Sequence, residues 1–238
     1  MSILKSFKKW AGKCLSFVED ILAPEDLKIK KILDIPPEMM RDLLPKSPVY
    51  SRDIFVLFDY QNKIVRLIVK SIKYKNNANL RKRIASYLYE EIIDLASEIA
   101  LFDGTLPLLV PMPMSKKEKR SRGFNQCEEL VKEIKKIGGD NIEVSYNTLK
   151  KIKETERQTK LSREKRMKNV KESMCGFLRN EMTTKIQRPE QSEGKNFSKH
   201  KTIIVLDDVY TTGASLAEAR RALLASGARR VIGLFIAH

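Results

Sequence analysis

The segment that most constrains this chain is Ile203-Ile204-Val205-Leu206-Asp207-Asp208-Val209-Tyr210-Thr211-Thr212-Gly213-Ala214-Ser215. It opens as an unbroken apolar run, the pattern of a strand buried on both faces of a parallel sheet. The run stops at two adjacent carboxylates. A short loop of small and hydroxyl residues follows, and then Leu216, Ala219, Leu223 and Leu224 recur at helical spacing. A strand turning tightly into a helix makes an anion cup, because the helix start presents unpaired N–H groups and the positive end of its dipole. Gly213 allows backbone conformations and a close ligand approach that a Cβ would forbid. Thr211, Thr212 and Ser215 add hydroxyls, any of which could cap the helix.

The paired acids narrow the ligand. A bare phosphate is repelled by carboxylates at the lip of its cup. A ligand with hydroxyls beside its phosphate, or a hard cation bridging the two, suits both halves. Ribose 5-phosphate meets both demands, with its phosphate on the loop amides and its 2- and 3-hydroxyls donating to Asp207 and Asp208. The plainer alternative is a capped helix after a core strand, with the two acids merely keeping the turn soluble. The apolar run, Asp207-Asp208 and then Thr212-Gly213-Ala214-Ser215 resemble the phosphoribosyl pyrophosphate (PRPP) motif of type I phosphoribosyltransferases. That resemblance implies an α/β fold, a parallel sheet flanked by helices with a small N-terminal helical or hood region. It also implies Asp207 and Asp208 as catalytic residues, Thr211, Thr212, Gly213, Ala214 and Ser215 as the 5-phosphate site, and Mg²⁺ as the cofactor arriving with PRPP.

With 238 residues, 42% of them hydrophobic, the chain can bury one sizeable core and a small appendage. Lys and Arg number 46 against 30 Asp and Glu, a net charge of +16. Such a balance favours polyanions: phosphorylated substrates, nucleic acid or an acidic membrane surface. Cys14, Cys127 and Cys175 lie far apart, and His200 and His238 are the only histidines, so neither a disulfide framework nor a His-based metal site is expected. No apolar run is long enough to span a bilayer and no secretory leader is evident, which points to the cytoplasm.

In chain order, Ile3, Phe7, Trp10, Cys14, Phe17, Val18 and Ile21 recur at three- and four-residue spacing between Lys5, Lys8, Lys9 and Lys13. This is a basic amphipathic helix, suited to docking on the core, on a membrane surface or on a partner helix. Pro24, Pro36, Pro37, Pro45 and Pro48 then read as a linker with short helical turns, so residues 1–50 form an N-terminal region ahead of a domain at 51–238. Within that domain Ile54 to Tyr60 is strand-like, Gln61-Asn62 a turn, and Ile64 to Tyr74 apolar and basic. Leu80, Ile84, Tyr87, Leu88, Leu95 and Ile99 mark a helix. Leu106 to Val110 reads as a buried strand, residues 125–137 as a helix, and Ile142 to Val144 as a short strand. A helix from Leu216 to Ser226 stops at Gly227, before a last strand from Val231 to Ala237. Strands alternating with helices argue for a parallel sheet, with ligands at the carboxyl ends of the strands. Residues 150–180 are strongly basic, and 181–200 read as a flexible polar insertion.

Two further landmarks are more particular. Pro111-Met112-Pro113-Met114-Ser115 precedes Arg122-Gly123-Phe124-Asn125-Gln126, and Gln158-Thr159-Lys160-Leu161-Ser162 follows with Arg166 and Asn169-Val170. These strings resemble the ComF subfamily of the same transferases, which is linked to DNA uptake in competence. The resemblance runs from about Asp59 to the C-terminus. It implies a pyrophosphate site at Met114, Ser115 and Lys116, with Arg120 and Arg122 neutralising charge as pyrophosphate leaves. Lys73-Tyr74 matches a Lys-Tyr pair of the family, and with Tyr210 is assigned to substrate or hood contacts. Arg163, Arg166 and Asn169 fit either a substrate-covering loop or an ordinary basic helix. Members commonly begin with a four-cysteine zinc module; here that segment holds only Cys14, so no zinc site of that kind is expected.

The expected activity is PRPP-dependent pentosyl transfer, a glycosyltransferase reaction, to an acceptor that the motifs do not name. The alternative is a non-catalytic PRPP sensor or DNA-uptake accessory protein, whose basic face holds single-stranded DNA or a competence helicase. A homodimer is left open. A transcriptional regulator on this fold finds no helix-turn-helix pattern to support it.

Overall fold

A computed structural model describes residues 24–48, 51–153, 171–178 and 201–238. The N-terminal amphipathic pattern, the basic string around Arg157 to Val170 and the polar stretch 181–200 lie outside the described residues. Contacts divide the chain into two units, Met1–Met40 and Arg41–His238. Helix α1 (Glu25–Asp34) follows Pro24, and α2 (Pro37–Leu43) has Pro37 as its first residue. Two of the five prolines, Pro24 and Pro37, thus stand at helix starts, where a missing N–H costs nothing because the first-turn donors lack intrahelical partners anyway.

The second unit is built on a five-stranded sheet. Its strands are β1 (Ile54–Phe58), β2 (Leu108–Pro111), β3 (Glu143–Val144), β6 (Thr202–Val209) and β7 (Arg230–Ala237). They lie in the order β1-β7-β6-β2-β3, and every pairing is parallel. The central position of β6 explains its composition: Ile203, Ile204, Val205 and Leu206 are each fully buried, as a strand with covered faces on both sides requires. Burying each such side chain contributes about 1.5–3 kcal/mol. Val205 sits level with Val110 on one neighbour and Gly233 on the other, which fixes the register of the three strands.

Helices cover the sheet. The apolar and basic stretch after Asn62 is helix α3 (Lys63–Lys75), begun by the Asn62 side chain, which accepts from the Ile64 and Val65 amides. After it come α4 (Ala78–Asp103), α5 (Lys116–Arg122), α6 (Gln126–Gly138) and α7 (Ala214–Ala225). No helix among the described residues is long and apolar enough to cross a membrane.

The sequence reading did not anticipate the antiparallel pair β4 (Leu149–Lys151) and β5 (Met174–Gly176). Buried Glu218 of α7 anchors it, accepting from the Met174 amide at 3.1 Å, while Arg221 donates to the Met174 carbonyl at 3.0 Å. The carboxyl ends of β1, β2, β6 and β7 share one edge. There the Tyr210 amide donates to Ala237, Tyr60 to His238 and Met112 to Leu206.

Candidate functional site

A cleft of about 940 Å³ opens at that edge. Asp207 and Asp208 line it from the end of β6, and Thr211, Gly213, Ala214 and Ser215 line it from the turn into α7. The turn is glycine-dependent. Gly213 has φ +75°, and a Cβ there would lie 2.8 Å from the Tyr210 hydroxyl. Gly213 is also the cap residue of α7, so no cap side chain satisfies the first amides of that helix. The residue before the cap contributes a hydroxyl instead: Thr212 Oγ1 accepts from the Ala214 amide, the first of the helix, at a long 3.5 Å.

The two acids have different surroundings. Asp207 Oδ1 accepts from the Asp208 amide at 2.8 Å and from the Cys127 thiol at 3.5 Å. Asp208 is 5% exposed and surrounded by donors. Its Oδ1 accepts from the Val209 amide at 2.8 Å. Its Oδ2 accepts from Gln126 Nε2 at 2.9 Å and pairs with Lys73 Nζ at 2.5 Å. Burial, and next the negative charge of Asp208, push the Asp207 carboxyl up to about 7, against the pull of Lys73. For Lys73, burial works to lower the pKa, but the charge and hydrogen bond of Asp208, with help from Asp207, outweigh it, and the net shift is upward. Burial, then the two carboxylates, raises the Cys127 thiol well above its usual range, so it stays protonated.

Helices α5 and α6 bring the remaining groups. Ser115 begins α5 with a capping box: its hydroxyl accepts from the Glu118 amide at 3.2 Å, and its own amide donates to the Glu118 carboxylate at 3.3 Å. Gly123 ends α5 in the left-handed region, and α6 starts three residues later. Asn125 caps α6 through the Cys127 amide and donates to the Met112 carbonyl, each at 3.0 Å, which ties α6 to the end of β2. Arg122 donates to Gln126 Oε1 and lies 5.3 Å from the centre of the Tyr74 ring.

Of the residues expected at pyrophosphate, Met114 and Arg122 line the cleft, Ser115 is buried in its capping box, and Lys116 and Arg120 are exposed outside the cleft wall. Lys73 and Tyr74 line it too, Tyr74 being 61% exposed. Tyr210 packs edge-on against Phe235 at 5.0 Å and lies 5.5 Å from His238. Arg163, Arg166 and Asn169 lie outside the described residues. Sequence reasoning gave no site role to Gln126 and Cys127; the first closes the Arg-Gly-Phe-Asn-Gln string, the one signal that marked it.

No family model matches the chain. Competence protein ComFC of Bacillus subtilis is 33% identical over 54% of this chain and 42% of its own length. Competence protein F of Haemophilus influenzae is 23% identical over 76% of this chain and 71% of its own. The DNA utilization protein YhgH of Salmonella typhi is 26% identical over 79% and 72%. The chain is thus similar, at low identity, to ComF-type competence and DNA utilization proteins. It spans under half the length of ComFC and less than three quarters of the other two. Among solved structures it is similar to a hypoxanthine phosphoribosyltransferase from Staphylococcus aureus, with 14% identity, 65% of this chain and 61% of that one covered, and a TM-score of 0.29. At that score the likeness carries no weight; the α/β class rests on the parallel sheet and its flanking helices.

Proposed function

We propose that this chain binds PRPP in the cleft and is a phosphoribosyltransferase-like protein serving DNA uptake. One observation carries the reading: the twin acids ending β6 and the glycine-started helix α7 face the same cleft. The proteins it is similar to, competence and DNA utilization proteins, supply the setting.

In this reading the turn from Thr211 to Ser215 holds the 5-phosphate, and the carboxylates accept from the ribose hydroxyls. That binding lies away from the anomeric carbon and orients it. The negative charge at the cleft floor favours the positive character that carbon gains as pyrophosphate departs. Among the described residues no group of three or more His, Cys, Asp or Glu side chains gathers, and Asp208 is already paired. This donor set fits Mg²⁺ that takes most of its shell from pyrophosphate oxygens and water. Bound with PRPP, Mg²⁺ would supply positive charge to offset that of the departing pyrophosphate.

A second reading is a PRPP-sensing accessory protein without turnover, binding single-stranded DNA or a helicase partner. The closed Lys73–Asp208 pair favours it, since one of the two acids already has its counter-cation in the resting site. Pyrophosphate release with PRPP, Mg²⁺ and a panel of bases and amines separates the two, with melting shifts run alongside. Release above the no-acceptor rate supports transfer; a PRPP-dependent melting shift without release supports the sensor. No shift and no release rejects both. Any affinity for a single-stranded oligonucleotide should fall steeply with salt.

A further inference from the structure

We propose that Lys73 and Gln126, the latter oriented by Arg122, are positioning residues that occupy and orient Asp208 and leave Asp207 as the acid that meets the ligand's hydroxyls. The inference rests on the PRPP reading and divides the work of its two acids. Two neighbouring carboxylates repel each other, and a cation beside one relieves that repulsion. Lys73, from the last turn of α3, brings it to Asp208.

The donors are distributed unevenly. Asp208 accepts from the Val209 amide, the Gln126 amide and the Lys73 ammonium, which leaves little room for a ligand hydroxyl. Asp207 Oδ1 is used by the Asp208 amide and the Cys127 thiol, while its Oδ2 takes no protein donor among the described residues. The open carboxylate oxygen of the pair therefore belongs to Asp207.

The orientation of Gln126 follows from Arg122. A guanidinium only donates, so its hold on Gln126 Oε1 turns the Gln126 NH₂ toward Asp208. Arg122 is steadied over the Tyr74 ring, and Tyr74 is the residue after Lys73. The Lys73-Tyr74 pair and the Arg122-Gly123-Phe124-Asn125-Gln126 string, some fifty residues apart in sequence, thus converge on one carboxylate. Arg122 is then an orienting group and not a pyrophosphate contact.

The test compares two ligands, PRPP with Mg²⁺ and ribose 5-phosphate, by calorimetry on the intact protein. A residue that acts through Asp208 must weaken both, whereas one that touches pyrophosphate weakens only PRPP. Lys73→Met and Arg122→Met are each expected to raise both dissociation constants in parallel, by about tenfold for Lys73→Met, because a buried carboxylate loses its charged donor. Lys73→Arg, which keeps the cation, should stay within about threefold of wild type for both ligands. Should Lys73→Met not fold, Gln126→Leu is scored by the same comparison. Weakening confined to PRPP, or no weakening, overturns the proposal. Wild type that binds PRPP but not ribose 5-phosphate overturns it too, leaving the PRPP reading intact. Wild type that binds neither removes the PRPP reading and this inference with it.

Discussion

Replacing Gly213 by alanine probes the turn on which the cleft depends. Gly213 has φ +75°, where an L residue is strained by roughly 1–2 kcal/mol. The new Cβ would also stand 2.8 Å from the Tyr210 hydroxyl and 3.3 Å from two of its ring carbons. Tyr210 cannot simply swing aside, because its ring lies against Phe235 and beside His238. Gly104 is the internal control: its φ is +64° and nothing lies within 4 Å of its would-be Cβ. Gly104→Ala carries the backbone strain alone, and Gly213→Ala carries the strain plus the collision. Thermal melting should show a loss of about 2–8 °C for Gly104→Ala, the range that 1–2 kcal/mol gives in a domain of this size. Gly213→Ala should lose more, and should weaken PRPP binding where Gly104→Ala does not. Equal melting losses, or unchanged PRPP affinity in Gly213→Ala, would refute the reasoning that this turn is packed by Tyr210 and shaped for phosphate.

Other outcomes follow from the same geometry. The Asp207 carboxyl is raised to about 7 in the folded protein, so the native state binds more protons than the unfolded chain between its ordinary range near 4 and about 7. Stability from this group is full below about pH 4 and is lost as pH rises through about 7. Urea midpoints at pH 5.5 and 8 should differ less in Asp207→Asn than in wild type; an identical difference refutes the assignment. Glu218→Ala strips the Met174 amide of its acceptor and Arg221 of its partner, and should cost about 1–3 kcal/mol in urea unfolding. A loss under about 0.5 kcal/mol would mean that the β4–β5 pair does not depend on that anchor. Half-buried Cys175 should react with a thiol reagent well before Cys127, which is 1% exposed and held protonated against Asp207. Peptide mapping of partly labelled protein reads the order, and early labelling of Cys127 would contradict its placement.

Much of this was written in local sequence. The run Ile203 to Leu206 announced a central strand because both its faces are covered, and the acids and glycine after it marked the turn. Strand and helix starts elsewhere were readable to within a few residues wherever the apolar period was clean, as on α4. The prolines marked short helical turns there without fixing their extent, since a residue that breaks a helix interior is welcome at its first turn. Any of three hydroxyls could cap α7 by sequence; the chain places Gly213 at the cap position in the left-handed region and has the Thr212 hydroxyl accept from the Ala214 amide. The β4–β5 pair escaped notice because three-residue strands have no readable period, and their partners are more than twenty residues apart. The collar on Asp208 was beyond local reading altogether. Gln126 lies 82 residues from Asp208 in the chain, and only the fold brings the two within hydrogen-bonding distance.

The most direct test of the account is a crystal structure of the intact protein with PRPP and Mg²⁺. The 5-phosphate is expected on the turn from Thr211 to Ser215, with a ribose hydroxyl hydrogen-bonded to Asp207 Oδ2. Electron density for PRPP elsewhere, or a sugar turned away from both acids with its phosphate off the start of α7, would contradict it.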